Sequence, residues 1–367
     1  METILKTLVE IPSTSNNPLA IQKALTFMAE FVADRGMHVE RFTSQGVPSF
    51  VATTKSHDRT PSLLLVAHID VVPAPKQLFT LRKKKGNYHG RGVFDMKFAA
   101  AAYLRLVDEL RESLGDYSLG IMVTTDEEIG GQNGVKYLVE TEGYRPKVCI
   151  IPDGGPDWEV EGFEKGVQWV QLDATGVSAH ASRPWEGEHA IHKLLMAIEE
   201  IRPLFPYNAG KKDTLLSVGT IEGGETANQL ADHAKAVLDI RTGSVADHRR
   251  SIPAITEICA KHDVQVTVLV DDEPCVNDAA NPYIHLYRDL LREHIGQATE
   301  MSYSYAVTDG RFFSRQGIPC VIVQPPGGGN HGQNEWISIK GCQQFYEVLR
   351  RYTKKVAGEQ RPENFNS

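Results

Sequence analysis

Ser62 to Val72 reads SLLLVAHIDVV, and this nearly unbroken apolar run constrains the fold more than any other stretch. A strand with one wet face alternates polar and apolar residues, so a strand without alternation is buried on both faces. A chain that carries one needs a layer of structure on each side of its sheet. The neighbouring patterns supply those layers. Leu19 to Arg35 has apolar residues at helical spacing (Ile21, Leu25, Met28, Phe31, Val32) and stops at Gly36. Asp95 to Arg111 is Ala- and Leu-rich and helical. Leu119 to Thr125 reads as a strand, Gly134 to Glu140 as a short helix and Val148 to Ile151 as a strand. This βαβα order predicts an α/β sheet with parallel segments and helices on both faces.

The style changes near Lys165. Val167 to Val177 alternates, and Gly187 to Arg202 is an amphipathic helix. Strands Leu215 to Ile221 and Lys235 to Ile240, a helix Val245 to His262 and a strand Val264 to Val270 follow. That is the β-α-β-β-α-β order of a ferredoxin-like α+β module. Past Pro274 the α/β style returns with a helix Pro282 to His294, a strand Pro319 to Gln324 and a closing helix from Gly341 to Val356. A chain of 367 residues exceeds the size of one core, so two domains are expected. The predicted division is an α/β domain over 1–164 and 274–367, interrupted by a smaller domain over 165–273.

The charge balance narrows the function. A formal net charge of -8 disfavours a nucleic-acid or anionic-membrane surface. The one basic run, Lys83-Lys84-Lys85, is followed by Gly86-Asn87 and reads as a charged turn. Five scattered cysteines without a CxxC argue against a disulfide framework and a thiolate metal site. The N-terminus lacks the basic and apolar regions of a signal peptide, and no run approaches a membrane span, so a cytoplasmic protein is expected.

The polar residues fall at strand ends. His68 and Asp70 close one apolar run, Glu127 and Glu128 (in TTDEEIGG) a second and Asp153 a third, while His331 lies in the glycine-rich loop after a fourth. Asp95 joins them from GRGVFD. Ligands of an open α/β sheet bind beyond the carboxyl ends of its strands. Two histidines and three carboxylates there suit zinc or a mixed pair of divalent metals, and five ligands suit two ions bridged by one carboxylate. Alternation at a strand end would turn Glu127 and Glu128 to opposite sides. If Glu128 binds metal, Glu127 faces the water that the metal acidifies. Asp70, two residues beyond His68, is placed to orient a metal-bound imidazole.

AHIDVVP, GRGVFDMK, TTDEEIGG, IIPDGG and NHGQNE, in that order, resemble the M20 family of co-catalytic metallopeptidases and amidohydrolases, and the likeness runs almost from end to end. The resemblance implies a zinc-exopeptidase-like catalytic domain with an inserted lid and dimerisation domain. It implies His68, Asp95, Glu128, Asp153 and His331 as ligands of two divalent ions, zinc by default and cobalt or manganese otherwise. Asp95 would be the bridge and Glu127 the general base. It also implies that His180, in GVSAHASRPWEGEHAI, completes the site of a partner subunit in a homodimer. Asn228, Arg241 and Arg311 match positions that hold substrate, often a carboxylate, for which the arginine fork is suited. Two positions depart from the family pattern. Phe98 stands where DMKG has glycine, and Ala231 replaces a common proline after Asn228.

The reaction expected is hydrolysis of an amide or peptide bond in a small N-acyl amino acid or dipeptide-like substrate. A dipeptidase or carboxypeptidase is the alternative to a deacylase, and a non-catalytic M20-like binding protein is another. A literal GxGxxG at Gly327 to Gly332 raises a dinucleotide-binding reading. That motif belongs between a strand and a helix, and here Pro325-Pro326 precede it and Trp336-Ile337 follow.

Overall fold

The computed structural model describes residues 1–206, 210, 212–296 and 301–358. They form two compact units. The first comprises Met1–Gly162, Asn277–Ser304 and the C-terminal segment from Thr308, and the second comprises Phe163–Val276 with Tyr305–Val307.

The first unit is built on a six-stranded sheet. In spatial order its strands are His38–Ser44, Val47–Thr53, Leu119–Thr124, Leu63–His68, Val148–Ile150 and Cys320–Val321. The last four run parallel, and the first two form an antiparallel hairpin on the edge. Every residue of Leu63–His68 is buried, as the apolar run requires. Leu63, Leu65 and Ala67 enter a large core with the helices Glu2–Val9, Pro18–Ala33, Lys97–Leu110, Pro282–Ile295 and Ile339–Val356. Alternation sends Leu64, Val66 and His68 to the other face. Strand order places the carboxyl ends of Leu63–His68 and Leu119–Thr124 side by side, with His68 in register with Thr124.

Several expectations shift by a residue or two. The hairpin His38–Ser44/Val47–Thr53 and the helix Glu2–Val9 were not foreseen. The strand expected over Pro319 to Gln324 shortens to Cys320–Val321. The lysine run is mostly strand. Arg82–Lys84 pairs with Asn87–His89, and only Lys85 and Gly86, at φ 50° and 80°, make the turn. The glycine run does not lead into a helix. Gly327–Gly328 pairs with Trp336–Ser338, a strand, which removes the structural context of a dinucleotide motif. Phe98 is fully buried, with its ring 5.3 Å from that of Phe345, edge to face.

The second unit is a four-stranded antiparallel sheet in the order Leu215–Gly223, His233–Thr242, Gly166–Thr175, Val264–Asp272. Helices Ala190–Ile201 and Val245–Lys261 share one core with its inner residues, among them Val170, Leu172, Leu238 and Ile240. The connectivity is the ferredoxin-like one. Among the described residues no helix is long and apolar enough to cross a membrane.

Candidate metal centre

His68 is the last residue of its strand and is almost completely buried. Its Nδ1 lies 3.0 Å from the backbone oxygen of Asp70, which can only accept, so Nδ1 carries the proton of the neutral ring. Nε2 is thereby left with a lone pair. It has no hydrogen-bond partner, yet it lies 3.2 Å from Asp95 Oδ1 and 3.7 Å from Asp153 Oδ2. Two donors about 2 Å from one tetrahedral zinc stand roughly 3.3 Å apart. The spacing therefore fits a shared cation.

Asp95 reaches this point because Glu335 holds its loop. The Glu335 carboxylate accepts the N–H groups of Gly92, Phe94 and Asp95 at 2.8, 3.0 and 3.2 Å and pairs with Arg91 at 2.7 Å. The other carboxylate oxygen of Asp95, Oδ2, lies 3.0 Å from His331 Nε2, which is also 3.1 Å from Glu128 Oε2. His331 sits at φ 61°, a conformation few residues other than glycine adopt, in the loop between Gly327–Gly328 and Trp336–Ser338. Two three-residue groups result, His68 with Glu127 and Asp153, and Asp95 with Glu128 and His331, each with its donor atoms within 4.8 Å of one another.

The two glutamates are not at a strand end. The strand stops at Thr124, and Glu127–Ile129 is a turn of 3-10 helix, so strand alternation does not explain their separation. Asp126 shapes that turn. Its carboxylate accepts the N–H groups of Asn133 and Gly134 at 2.8 and 3.0 Å, and its backbone oxygen accepts that of Gly131 at 2.7 Å. The chain then reverses through Gly130 and Gly131 at φ 106° and 65°. A side chain on Gly131 would meet the buried Asp309 carboxylate.

The electrostatics suit a bound cation. Burial opposes charging of His68, but Asp153, Asp70 and Asp95 outweigh it and hold the imidazole well above its ordinary pKa. Burial, reinforced by Asp153, pushes Glu127 well above the carboxylate range. Burial and Asp95 raise Glu128 to about 7. Burial opposes ionisation of Asp95, yet His331 and His68 hold it well below the carboxylate range. The bridging position is therefore anionic, while His68, Glu127 and Glu128 hold protons that a divalent cation can replace.

The remaining expected residues lie elsewhere. Arg311 belongs to the first unit but is 5% exposed, with Nη1 and Nη2 donating to the carbonyls of Thr308 and Gly130, both at 2.7 Å. Its guanidinium clamps the glutamate turn and does not present an open fork to a substrate carboxylate. His180, Asn228 and Arg241 belong to the second unit. His180 bridges Gln229 across two loops, and the Ala181 N–H donates to the Asn228 carbonyl at 2.9 Å. Arg241 pairs with Asp239 at 2.8 Å. Sequence reasoning missed Asp126, Asp309 and Glu335, although TTDEEIGG and NHGQNE contain the first and the last.

The chain resembles known proteins along most of its length. It is 25% identical over 358 residues to a succinyl-diaminopimelate desuccinylase of Burkholderia ambifaria, covering 91% of this chain and 94% of that one. A tripeptidase from Staphylococcus aureus superposes with a TM-score of 0.77 at 21% identity, covering 97% of each chain. An M20 family metallo-carboxypeptidase from Sulfolobus solfataricus superposes with a TM-score of 0.73 at 16% identity, covering 96% of this chain and 98% of that one. The model of peptidase family M20/M25/M40 matches residues 64–355, which include every residue of the two donor groups. The chain is a metal-dependent amide hydrolase and belongs to peptidase family M20/M25/M40.

Proposed function

We propose that this hydrolase uses two divalent cations to cleave the amide bond of a small N-acyl amino acid or dipeptide-like substrate. One observation carries the reading: the two oxygens of Asp95 face different histidines, His68 and His331, as a bridging carboxylate must. His68 and Asp153 complete one donor set, and His331 and Glu128 the other. The all-nitrogen-and-oxygen donors favour zinc, with cobalt or manganese as substitutes. When bound, such ions polarise the scissile carbonyl and bring the pKa of a coordinated water from near 16 to about 7.

The chain's own residues have distinct parts. Glu127 takes the proton of the attacking water and passes it to the leaving nitrogen, a task its raised affinity for protons suits. Asp70 orients the His68 ring. Residues 165–273 act as lid and dimerisation domain to a catalytic domain made of 1–164 and 274–367. In that lid the Ser182 N–H donates to His180 Nδ1 at 3.2 Å, which leaves the proton of the neutral ring on Nε2. His180 can therefore donate a hydrogen bond to a substrate oxygen, and in a homodimer it does so across the subunit interface. Asn228 and Arg241 hold the substrate carboxylate, Arg241 by exchanging Asp239 for it, while Arg311 supports the Glu127 turn.

The similar proteins include a desuccinylase, a tripeptidase and a carboxypeptidase, so the acyl and peptidyl classes both enter the test. Purified protein is analysed for metal and assayed on a panel of N-acyl amino acids, dipeptides and tripeptides. Turnover of acylated amino acids or dipeptides with bound divalent metal is expected. Bound metal with no turnover across the panel would overturn the N-acyl amino acid and dipeptide reading of the substrate.

A further inference from the structure

A cleft of about 330 Å³ opens beside the loops that carry Asp95 and His331. Arg82, Lys84 and His89 line it from the hairpin Arg82–Lys84/Asn87–His89, and Gln333 and Asn334 line it from the segment after His331. Arg82 stands directly opposite His89 in the hairpin, and Lys84 lies two residues along on the same face. Lys83 also contributes to the lining, but its amine pairs with Glu2 at 2.6 Å. Arg82 gives one Nη to the Gln77 carbonyl at 2.8 Å. The side chains of Lys84 and His89 have no hydrogen bond or ion pair among the described residues.

Among the described residues no carboxylate pairs with Arg82 or Lys84 in the cleft. Glu335 reaches its floor, but that carboxylate is 2% exposed and is matched by Arg91 and three backbone N–H groups. In a chain of net charge -8, Arg82, Lys84 and His89 therefore line one concavity, and two carboxamides close its other side. Arg82 has a single bond to a carbonyl, and the other two have no partner among the described residues. Arg82 and Lys84 lie two residues apart on one face of the strand, and a bound anion would offset their like charges while accepting N–H donors from both walls. We propose that this cleft is a binding site for a small oxyanion, a phosphate or carboxylate group, held by Arg82, Lys84 and His89 and bridging the hairpin to the His331 loop. The group is either a free anion or the far end of the substrate itself.

The test is titration calorimetry with inorganic phosphate and with succinate on the intact protein and on an Arg82→Ala/Lys84→Ala variant. Both replaced side chains are exposed, so the variant keeps its fold, checked by circular dichroism. The wild type is expected to bind at least one of these anions saturably, and the variant at least tenfold more weakly. Equal binding by both proteins assigns the anion to another place and overturns the proposal, as does the absence of saturable binding of either anion by the wild type at millimolar concentration. Kinetics then separate the sources. A KM raised only for acidic substrates in the variant means the substrate's own carboxylate occupies the cleft. An unchanged KM, with phosphate slowing metal loss to a chelator in the wild type alone, means a free anion. The binding measurement holds whether or not the proposed amide substrate is right.

Discussion

Asp70 Oδ2 accepts the backbone N–H of Glu128 at 3.1 Å, while the backbone oxygen of the same Asp70 faces His68 Nδ1 at 3.0 Å. One residue thus positions a member of each donor group. Asp70→Ala keeps the backbone oxygen but removes the acceptor of the Glu128 N–H and the Oδ1 that lies 3.4 Å from His68 Nδ1. It is expected to weaken metal binding by roughly 10–100-fold, the usual effect of losing a group that orients a ligand. Asp70→Asn keeps an acceptor for the Glu128 N–H and is expected to lose less. A competitive chelator titration ranks the two, and equal losses would mean that the Asp70 charge, not its hydrogen bond, matters.

Glu335 is expected to be the costliest replacement outside the donor groups. Its carboxylate collects three N–H donors and Arg91 in a site that is 2% exposed. Glu335→Ala leaves a buried guanidinium without its partner, a loss of about 3–5 kcal/mol, and frees the loop that presents Asp95. Urea unfolding should show that loss, and metal content should fall with it. If Arg91→Ala is added, part of the stability should return, because the stranded charge is gone.

The adjacent glutamates separate by metal content. Glu127→Ala should retain both ions and lose orders of magnitude in kcat, whereas Glu128→Ala should lose one ion. The geometry makes this a real test, since Glu127 lies within reach of His68 and Asp153 and could itself be a ligand. Metal analysis of Glu127→Ala decides: one ion per chain fewer would make it a ligand and leave the base unassigned.

Much of this was legible because the strands that deliver the donors are continuous apolar runs and end where polarity begins. Leu63–His68, Leu119–Thr124 and Val148–Ile150 could be read this way. The glutamate turn could not. A 3-10 turn of three residues has no periodicity to detect, and its shape comes from Asp126 folding back on Asn133 and Gly134. Glu335 was hidden for a related reason, since its partners lie 240 or more residues away in sequence. The buried end of Arg311 was equally out of reach, because a motif names the residue and says nothing of which carbonyls surround it.

Exhaustive chelation is expected to abolish activity and lower the melting temperature. A ligand that binds only the folded state stabilises it by RT ln(1 + [L]/Kd), which is about 4 kcal/mol at 1,000 Kd. Without cations, Asp95, Glu127, Glu128 and Asp153 face one another in a largely buried cluster with only two histidines to balance them. Activity and melting temperature should return together on adding zinc. Full activity after chelation would refute the metal mechanism.

The final prediction concerns assembly. Leu215–Gly223 is an outer strand of the second unit's sheet, and its Val218 and Ile221 are 40% and 52% exposed. On the helix Ala190–Ile201, Leu195 and Met196 are likewise exposed. An edge strand with apolar side chains and unpaired backbone groups is a surface that a second copy of the chain can cover. Ile221→Lys should therefore give a monomer by analytical ultracentrifugation and, if His180 acts across the interface, an inactive one. The shared site has a stricter test. Glu127→Ala and His180→Ala are each expected to be nearly inactive alone. In a mixed dimer one site carries both changes and the other carries neither, so subunit exchange should restore up to half of wild-type activity per mixed dimer. Exchange followed by tagged pull-down without recovery of activity would place His180 outside the partner's site, and a wild-type protein that is monomeric at assay concentration would remove the dimer itself.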